Sequence, residues 1–370
     1  MSTETAFYPR LAALTDDWTE LFGYAAPATV TGVLDEYRAV RDAAGLMDFS
    51  MLRKIDIDGP GALELVNGIV TRDLRTLEVG QIAYGALCDE DGKMVDDCTA
   101  SLRAHDRIRF CGANDRDAEI FAAAAAGTGV TVRPFTDEMP HLCLQGPKSR
   151  EMLQPLANRD LSNAAFRYYT LLEDVEIGGV PVFMNRLGYT AELGYELWVE
   201  AARALDLWDV LVEATEPQGM KVIGMTALDL LRIEGGFIIG GVEYDASVSP
   251  YECGLGWSVA LDKGDFQGRA GVERDREQTT HRLTSVVLES GGDAATDARL
   301  SIDGEDAGYV TQAVASPHLD GRTLGLAKLP KGVAHAVGTT VTARVGGADV
   351  AGEVVRHPVY DPERKRVKES

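Results

Sequence analysis

Two adjacent carboxylates, Asp96 and Asp97, stand in the run Met94-Val95-Asp96-Asp97-Cys98. Neighbours on a strand point to opposite faces, so one acid faces inward and the other faces water or a neighbouring element. A carboxylate on an otherwise apolar strand is costly to bury unless something binds it. The plain alternative is a hairpin-edge pair bonded to turn amides. A second cluster spans residues 185–198, where Gly188 and Gly194 bracket a polar, aromatic-rich turn. Glu196 lies on the opposite strand face from Tyr195 and Leu197. A glutamate there can accept hydrogen bonds from a heterocycle's N–H or NH₂ groups. Tyr189 can stack on a flat ring or a cation. Read alone, this stretch is more simply a glycine-rich hairpin followed by a strand. A third stretch, residues 224–236, reads as a helix closed by Gly235-Gly236, an ordinary C-terminal cap. Its Arg232 reads as a structural ion-pair partner.

Other chemistry is excluded by pattern. The chain has no GxSxG, no GxxxxGK[ST] and no GxGxxG after a strand, so hydrolase and nucleotide-kinase readings drop out. The six histidines show no HxH, HxxxH or HExxH spacing, and the five cysteines form no CxxC pair. No metal site is therefore expected.

Elements must position these groups. A helix and then a turn are expected over residues 30–50. Lys54 to Asp58 alternates like a strand, stops at Gly59-Pro60 and feeds a helix. The same strand–Gly-Pro–helix unit returns at His141, Gly146-Pro147 and Met152, which suggests two related α+β halves. Between them, residues 83–87 and 93–102 read as a strand pair around the turn Asp91-Gly92. A strand at 108–111 precedes an alanine-rich helix at 117–126. Strands at 175–177 and 181–184 flank Gly178-Gly179, and helices are expected at 205–214 and 226–234. Residues 262–275 read as a linker. Beyond 281, short strands at 283–288, 300–302, 307–313, 324–329 and 340–345 argue for a small β-barrel or sandwich.

Composition bounds the answer. The 370 residues exceed one usual domain of roughly 100–200 residues, so two or three are expected. A net charge of −22 argues against nucleic-acid binding, which needs Lys and Arg in excess, and against anionic membrane surfaces. Nine lysines stand against 27 arginines, a balance similar to that of proteins from high-salt organisms; solubility through self-repulsion explains the charge equally well. No apolar stretch is long enough to span a bilayer. Met1 to Ala12 lacks a basic stretch followed by an apolar run, and the cysteine count is odd, so a reducing cytoplasm is expected.

The order of several segments resembles one family, the glycine cleavage T protein and its folate-dependent relatives. Residues 37–50 are similar to the family's AVR..AGLFDVS. Residues 57–62, 80–84, 92–97 and 144–148 are similar to its V.GPDA, G.A.Y, GG..DD and LQGPKA segments. Residues 186–196 resemble RTGYTGE.G.E, residues 231–236 LRLEAG, residues 250–257 P.EAGLGW, and Ser316-Pro317 the start of SPT. Each match is short; their order makes the resemblance specific.

The resemblance implies an α+β, three-domain ring around a folate pocket. Residues 1–50 plus 146–262 would form a discontinuous folate-binding domain, 51–145 a second domain carrying the Asp96-Asp97 hairpin, and 275–370 the C-terminal β-barrel-like domain. It implies tetrahydrofolate as cofactor, Asp97 as the catalytic carboxylate, and Tyr84, Asn114, Tyr189 and Glu196 as folate contacts. Met51, Leu228, Trp257 and Tyr360 would line the substrate pocket. The acidic chain would repel folate's anionic tail at long range, so the −22 is better read as surface adaptation than as mechanism.

Departures from the pattern bear on the donor. The family's ARD reads Ala227-Leu228-Asp229, so Leu228 stands where an arginine reaches into the pocket. Its SHM reads Ser50-Met51-Leu52, and the second glycine of GYTGE is Ala191. The expected activity is therefore a tetrahydrofolate-dependent methyltransferase, or demethylase, moving a methyl group from a small S-, N- or O-methylated donor to N5. The alternative is an aminomethyltransferase of the glycine cleavage system, with a lipoyl carrier protein as partner. A third reading, a non-enzymatic folate-binding protein supporting iron–sulfur enzymes, carries a KGCY.GQE linker motif; here Asp265 replaces its cysteine.

Overall fold

The computed structural model describes residues 2–369. It is an α+β protein of three sheet-based units. The first sheet has six strands, in the spatial order Leu171–Ile177, Val180–Asn185, Gly194–Trp198, His141–Gln145, Ala44–Asp48 and Met220–Val222. The second has five: Ile82–Cys88, Met94–Ala104, Arg107–Gly112, Arg53–Asp58 and Thr131–Pro134. Six strands between His281 and Val355 close the C-terminal barrel.

Period-two alternation gives the first sheet two different faces. Leu142, Leu144, Tyr195 and Leu197 pack into one core with Trp208 and Leu211 of the helix Ala204–Thr215. Cys143, Gln145 and Glu196 point the other way and line a cleft. The second sheet buries Ile55, Ile57, Val95, Cys98, Ile108 and Phe110 beneath the helices Ala62–Asn67 and Arg116–Ala125. The two sheets meet where Ile82 N–H donates to the Tyr169 carbonyl at 2.9 Å and Leu171 N–H to the Gly80 carbonyl at 2.9 Å.

Both strand–Gly-Pro–helix units are present, one on each sheet, and both use the same device. Gly59 has φ +123° and Gly146 φ +146°, and a Cβ at either would fall 2.3–2.4 Å from a backbone oxygen of an adjacent segment. Only glycine lets the chain turn this tightly against its neighbour.

Four expectations need correction. The turn expected before residue 50 is the strand Ala44–Asp48, buried on both faces between two neighbours, which removes any polar alternation. The expected linker contains the helix Arg269–Gln278. Gly268 and Gly271 of that segment press against the 89–92 turn so closely that a Cβ would meet the Asp89 or Asp91 carbonyl oxygen, and Asp275 pairs with Lys93 at 2.6 Å. The strand His141–Gln145 pairs within the first sheet, so a boundary at residue 145 cuts a strand away from the helix it feeds. Finally, the strand Ala348–Val355 was not expected; its burial is irregular, and its pairing with Thr340–Val345 and His281–Leu288 closes the barrel.

The barrel is tied back through charge. Arg232 pairs with Glu243 at 2.8 Å and Asp229 at 3.0 Å, and Thr311 Oγ1 donates to Glu243. Ser316 Oγ donates to Glu234 at 2.6 Å.

Candidate active site

The cleft lies between the first two sheets and the 237–240 loop, and its empty volume, solvent-open mouth included, is about 1010 Å³. Its walls are apolar and aromatic: Phe22, Phe49, Met51, Tyr84, Tyr169, Tyr189, Leu228 and Phe237. Asp97 and Glu196 are its two charged lining residues, and no Lys, Arg or His lines it among the described residues.

The acid pair splits by face. Asp96 Oδ2 accepts the backbone N–H groups of Ala113 at 2.5 Å and Asn114 at 3.1 Å, so this acid does bond turn amides. Asp97 points into the cleft. Tyr84 Oη donates to its Oδ2 at 2.6 Å and Tyr244 Oη to its Oδ1 at 2.6 Å. Tyr244 also lies 3.1 Å from Asp96 Oδ1, bridging the pair. Burial, and then the charge of Asp96, push the Asp97 carboxyl up to about 7, against the two tyrosine bonds that favour the carboxylate. Asp117, over Gly112 beside Asp96, is pushed up to about 10 by burial and by Asp96, so the two carboxyls titrate as a pair.

A pH dependence follows. If the Asp97 carboxylate is the working form, turnover rises as pH increases through about 7, levels above it, and is lost on the acid side. Stability runs the other way. The folded value lies above the ordinary carboxylate value of 3.8, so the contribution of this group is complete below about 4 and lost as pH rises through about 7. A pH–rate profile beside a pH–melting series should show activity and stability crossing in this window.

Glu196 lies opposite Cys143 on the neighbouring strand. Asn185 Nδ2 and Trp198 Nε1 each donate to Glu196 Oε2 at 3.0 Å, which fixes the carboxylate plane. Gln145 sets the loop that follows Gly188. Its Oε1 accepts from Tyr189 N–H at 3.1 Å and Thr190 Oγ1 at 2.7 Å, leaving buried Nε2 without a partner. Tyr189 Oη donates to the Ile238 carbonyl, tying its ring to the opposite wall. Ala191 adopts φ +61°, a conformation that costs a non-glycine residue about 1–2 kcal/mol. That explains the glycine expected there from the resemblance.

Of the residues named from sequence, Tyr84, Asp97, Tyr189, Glu196, Met51 and Leu228 converge on the cleft. Three do not. Asn114 donates from Nδ2 to the Val95 carbonyl at 2.8 Å and lines an adjoining polar hollow with Asp96 and Tyr244. Trp257 is 62% exposed and stacks on Tyr84 at 6.1 Å without lining the cleft. Tyr360 is buried elsewhere, donating to Glu192 with the Arg41 guanidinium 3.6 Å over its ring. Gln145, Tyr169 and Tyr244 were not singled out. Tyr244 comes from a loop with no periodic signal; Gln145 reads from sequence as part of the Gly146-Pro147 turn and of the LQGPKA-like segment, whereas it ends the strand His141–Gln145.

Comparison with known proteins agrees with this architecture. Residues 7–263 match the GCVT N-terminal domain family, and residues 281–361 the glycine cleavage T-protein C-terminal barrel domain. The chain is 35% identical to an aminomethyltransferase of Shouchella clausii over 91% of this chain and 92% of that protein. It is 33% identical to a trimethylamine-oxide aldolase of Ruegeria pomeroyi over 99% of this chain, spanning about half (48%) of that relative's length. The aminomethyltransferase structure from Bartonella henselae superposes with a TM-score of 0.87 at 23% identity, over 98% of this chain and 99% of that one, which speaks for the fold. With both domain matches in register with the two sheets and the barrel, the chain belongs to the glycine cleavage T-protein family.

Proposed function

We propose that the chain is a tetrahydrofolate-dependent one-carbon transferase whose donor is a small methylated compound. One observation carries the choice of donor: among the described residues the cleft presents two carboxylates and no basic side chain, with Leu228 on its wall. A cationic or neutral donor suits such a site, and an anionic group finds no counter-charge there. The residues fit a reduced pterin. Glu196 offers a fixed carboxylate, Gln145 Nε2 is a buried donor without a partner, and Tyr189 and Phe237 supply aromatic walls.

Tetrahydrofolate supplies a nucleophilic ring nitrogen when bound. Glu196 and Gln145 orient the ring's donor and acceptor edge. Asp97 holds a negative charge where positive charge develops at nitrogen, and Tyr84 and Tyr244 lock its carboxylate in place. The apolar walls exclude water and strengthen that charge interaction.

Aminomethyl transfer from a lipoyl carrier is the second reading, favoured by the names of relatives such as the Shouchella clausii protein. Incubation with tetrahydrofolate and a panel of sulfonium, quaternary ammonium, amine N-oxide and methoxy donors separates the two. The first reading expects 5-methyltetrahydrofolate from one of these donors. Folate product appearing only with an aminomethyl-lipoyl donor, as the 5,10-methylene form, would decide for the second.

A further inference from the structure

Three metal-ligating side chains converge at the cleft wall, which Cys143 and Glu196 line. His141 and Cys143 are two residues apart on one strand and share a face. Glu196 lies directly across from Cys143 on the next strand. One ligand atom from each lies within 4.8 Å of the other two, and all three residues are buried. His141 is fully buried, yet neither ring nitrogen has a hydrogen-bond partner. Its ring is held by stacking on Trp198 at 4.9 Å instead. A buried imidazole with two unpaired nitrogens is uncommon and points to a ligand. Burial and then Lys54 hold it well below the ordinary histidine range, so it is neutral and has a free lone pair. Glu196 Oε1 is 4.0 Å from His141 Nε2, too far for a direct hydrogen bond but suited to a shared third atom.

We propose that His141, Cys143 and Glu196 form a binding site for a divalent transition metal of zinc type, whose occupation blocks folate by engaging Glu196. An imidazole, a thiolate and a carboxylate are a usual ligand set for zinc, with a fourth position left toward the cleft. The metal replaces the Cys143 thiol proton, which passes to solvent. The nearest opposing cation, Lys54, is engaged by the carbonyls of Ser50 at 3.0 Å and Leu52 at 3.1 Å. Asp48 and Asp137, besides Glu196, are the carboxylates acting on Lys54, and Cys111 is another thiol near this end of the cleft. The metal site stands on its own geometry; the competition rests on the folate reading above.

The test uses the full chain, stripped with chelator and titrated with Zn²⁺ and Co²⁺. One equivalent is expected to bind, Co²⁺ giving a thiolate charge-transfer band. Cys143→Ser should abolish that band, and His141→Gln should weaken binding by more than the roughly 10–100-fold lost with a merely supporting hydrogen bond. Cys253→Ser, a buried thiol elsewhere, should leave it intact. 5-Formyltetrahydrofolate should displace the ion from the wild-type chain, a readout that needs no variant to fold. Absence of the cobalt band in wild type, or an unchanged band in Cys143→Ser, overturns the site. Simultaneous binding of metal and folate overturns the competition. If the metal-free chain binds no folate at all, the folate reading fails while the metal titration still reports on the site.

Discussion

Asp97→Asn is expected to lower kcat by roughly 100–1000-fold while leaving the KM for tetrahydrofolate nearly unchanged, the scale of removing one preorganised group aimed at developing charge. The substitution keeps shape and hydrogen-bonding reach. Tyr84 can still donate to the amide oxygen, while Tyr244 accepts from the amide NH₂ and donates to Asp96 instead, so the cleft wall stays in place. What disappears is the negative charge that the proposed reaction sets against the folate nitrogen. Because burial and Asp96 make ionised Asp97 costly to the fold, the variant should melt no lower than wild type above pH 7. Its pH–rate profile should also lose the inflection near 7. A loss of kcat with the inflection retained would move the titrating group elsewhere, with Asp96–Asp117 the nearest candidate pair.

Glu196→Gln is the second large effect, and it falls on binding. Hydrogen bonds to a charged group contribute about 1.5–3 kcal/mol, so tetrahydrofolate affinity should fall roughly 10–150-fold. The glutamine oxygen still accepts from Asn185 and Trp198, so stability should be little changed. Glu196→Ala removes that acceptor, orphans both donors and should cost a further ~1–3 kcal/mol of stability. Calorimetric titration beside thermal melting separates the two. If affinity falls equally in both variants, the lost interaction is the carboxylate charge; if only the alanine variant weakens, Glu196 acts through packing.

Some of this site was legible in local pattern. Opposite-face logic placed Glu196 away from Tyr195 and Leu197, which the buried core confirms. It also split Asp96 from Asp97, although only the family resemblance chose Asp97 as the acid facing the cleft. The glycines at 59 and 146 marked two strand-to-helix turns because only glycine tolerates their φ. Other features were not legible because they depend on neighbours distant in sequence. Ala44–Asp48 lacks alternation because both its faces are covered. The helix Arg269–Gln278 was hidden behind the glycine- and aspartate-rich residues before it, and its docking depends on the distant 89–92 turn. Tyr244 reaches Asp97 from a loop 147 residues away, a pairing no spacing rule reports. Tyr360 was misplaced for the same reason: Glu192 and Arg41 capture it before it reaches the cleft.

The most direct test is a crystal structure of the chelator-treated chain with 5-methyltetrahydrofolate. The pterin edge is expected on Glu196, its ring beside Tyr189, and the N5-methyl group facing the Asp97 carboxylate. A folate seated outside the cleft, or one whose N5 lies remote from Asp97 while Glu196 makes no contact, would contradict that placement.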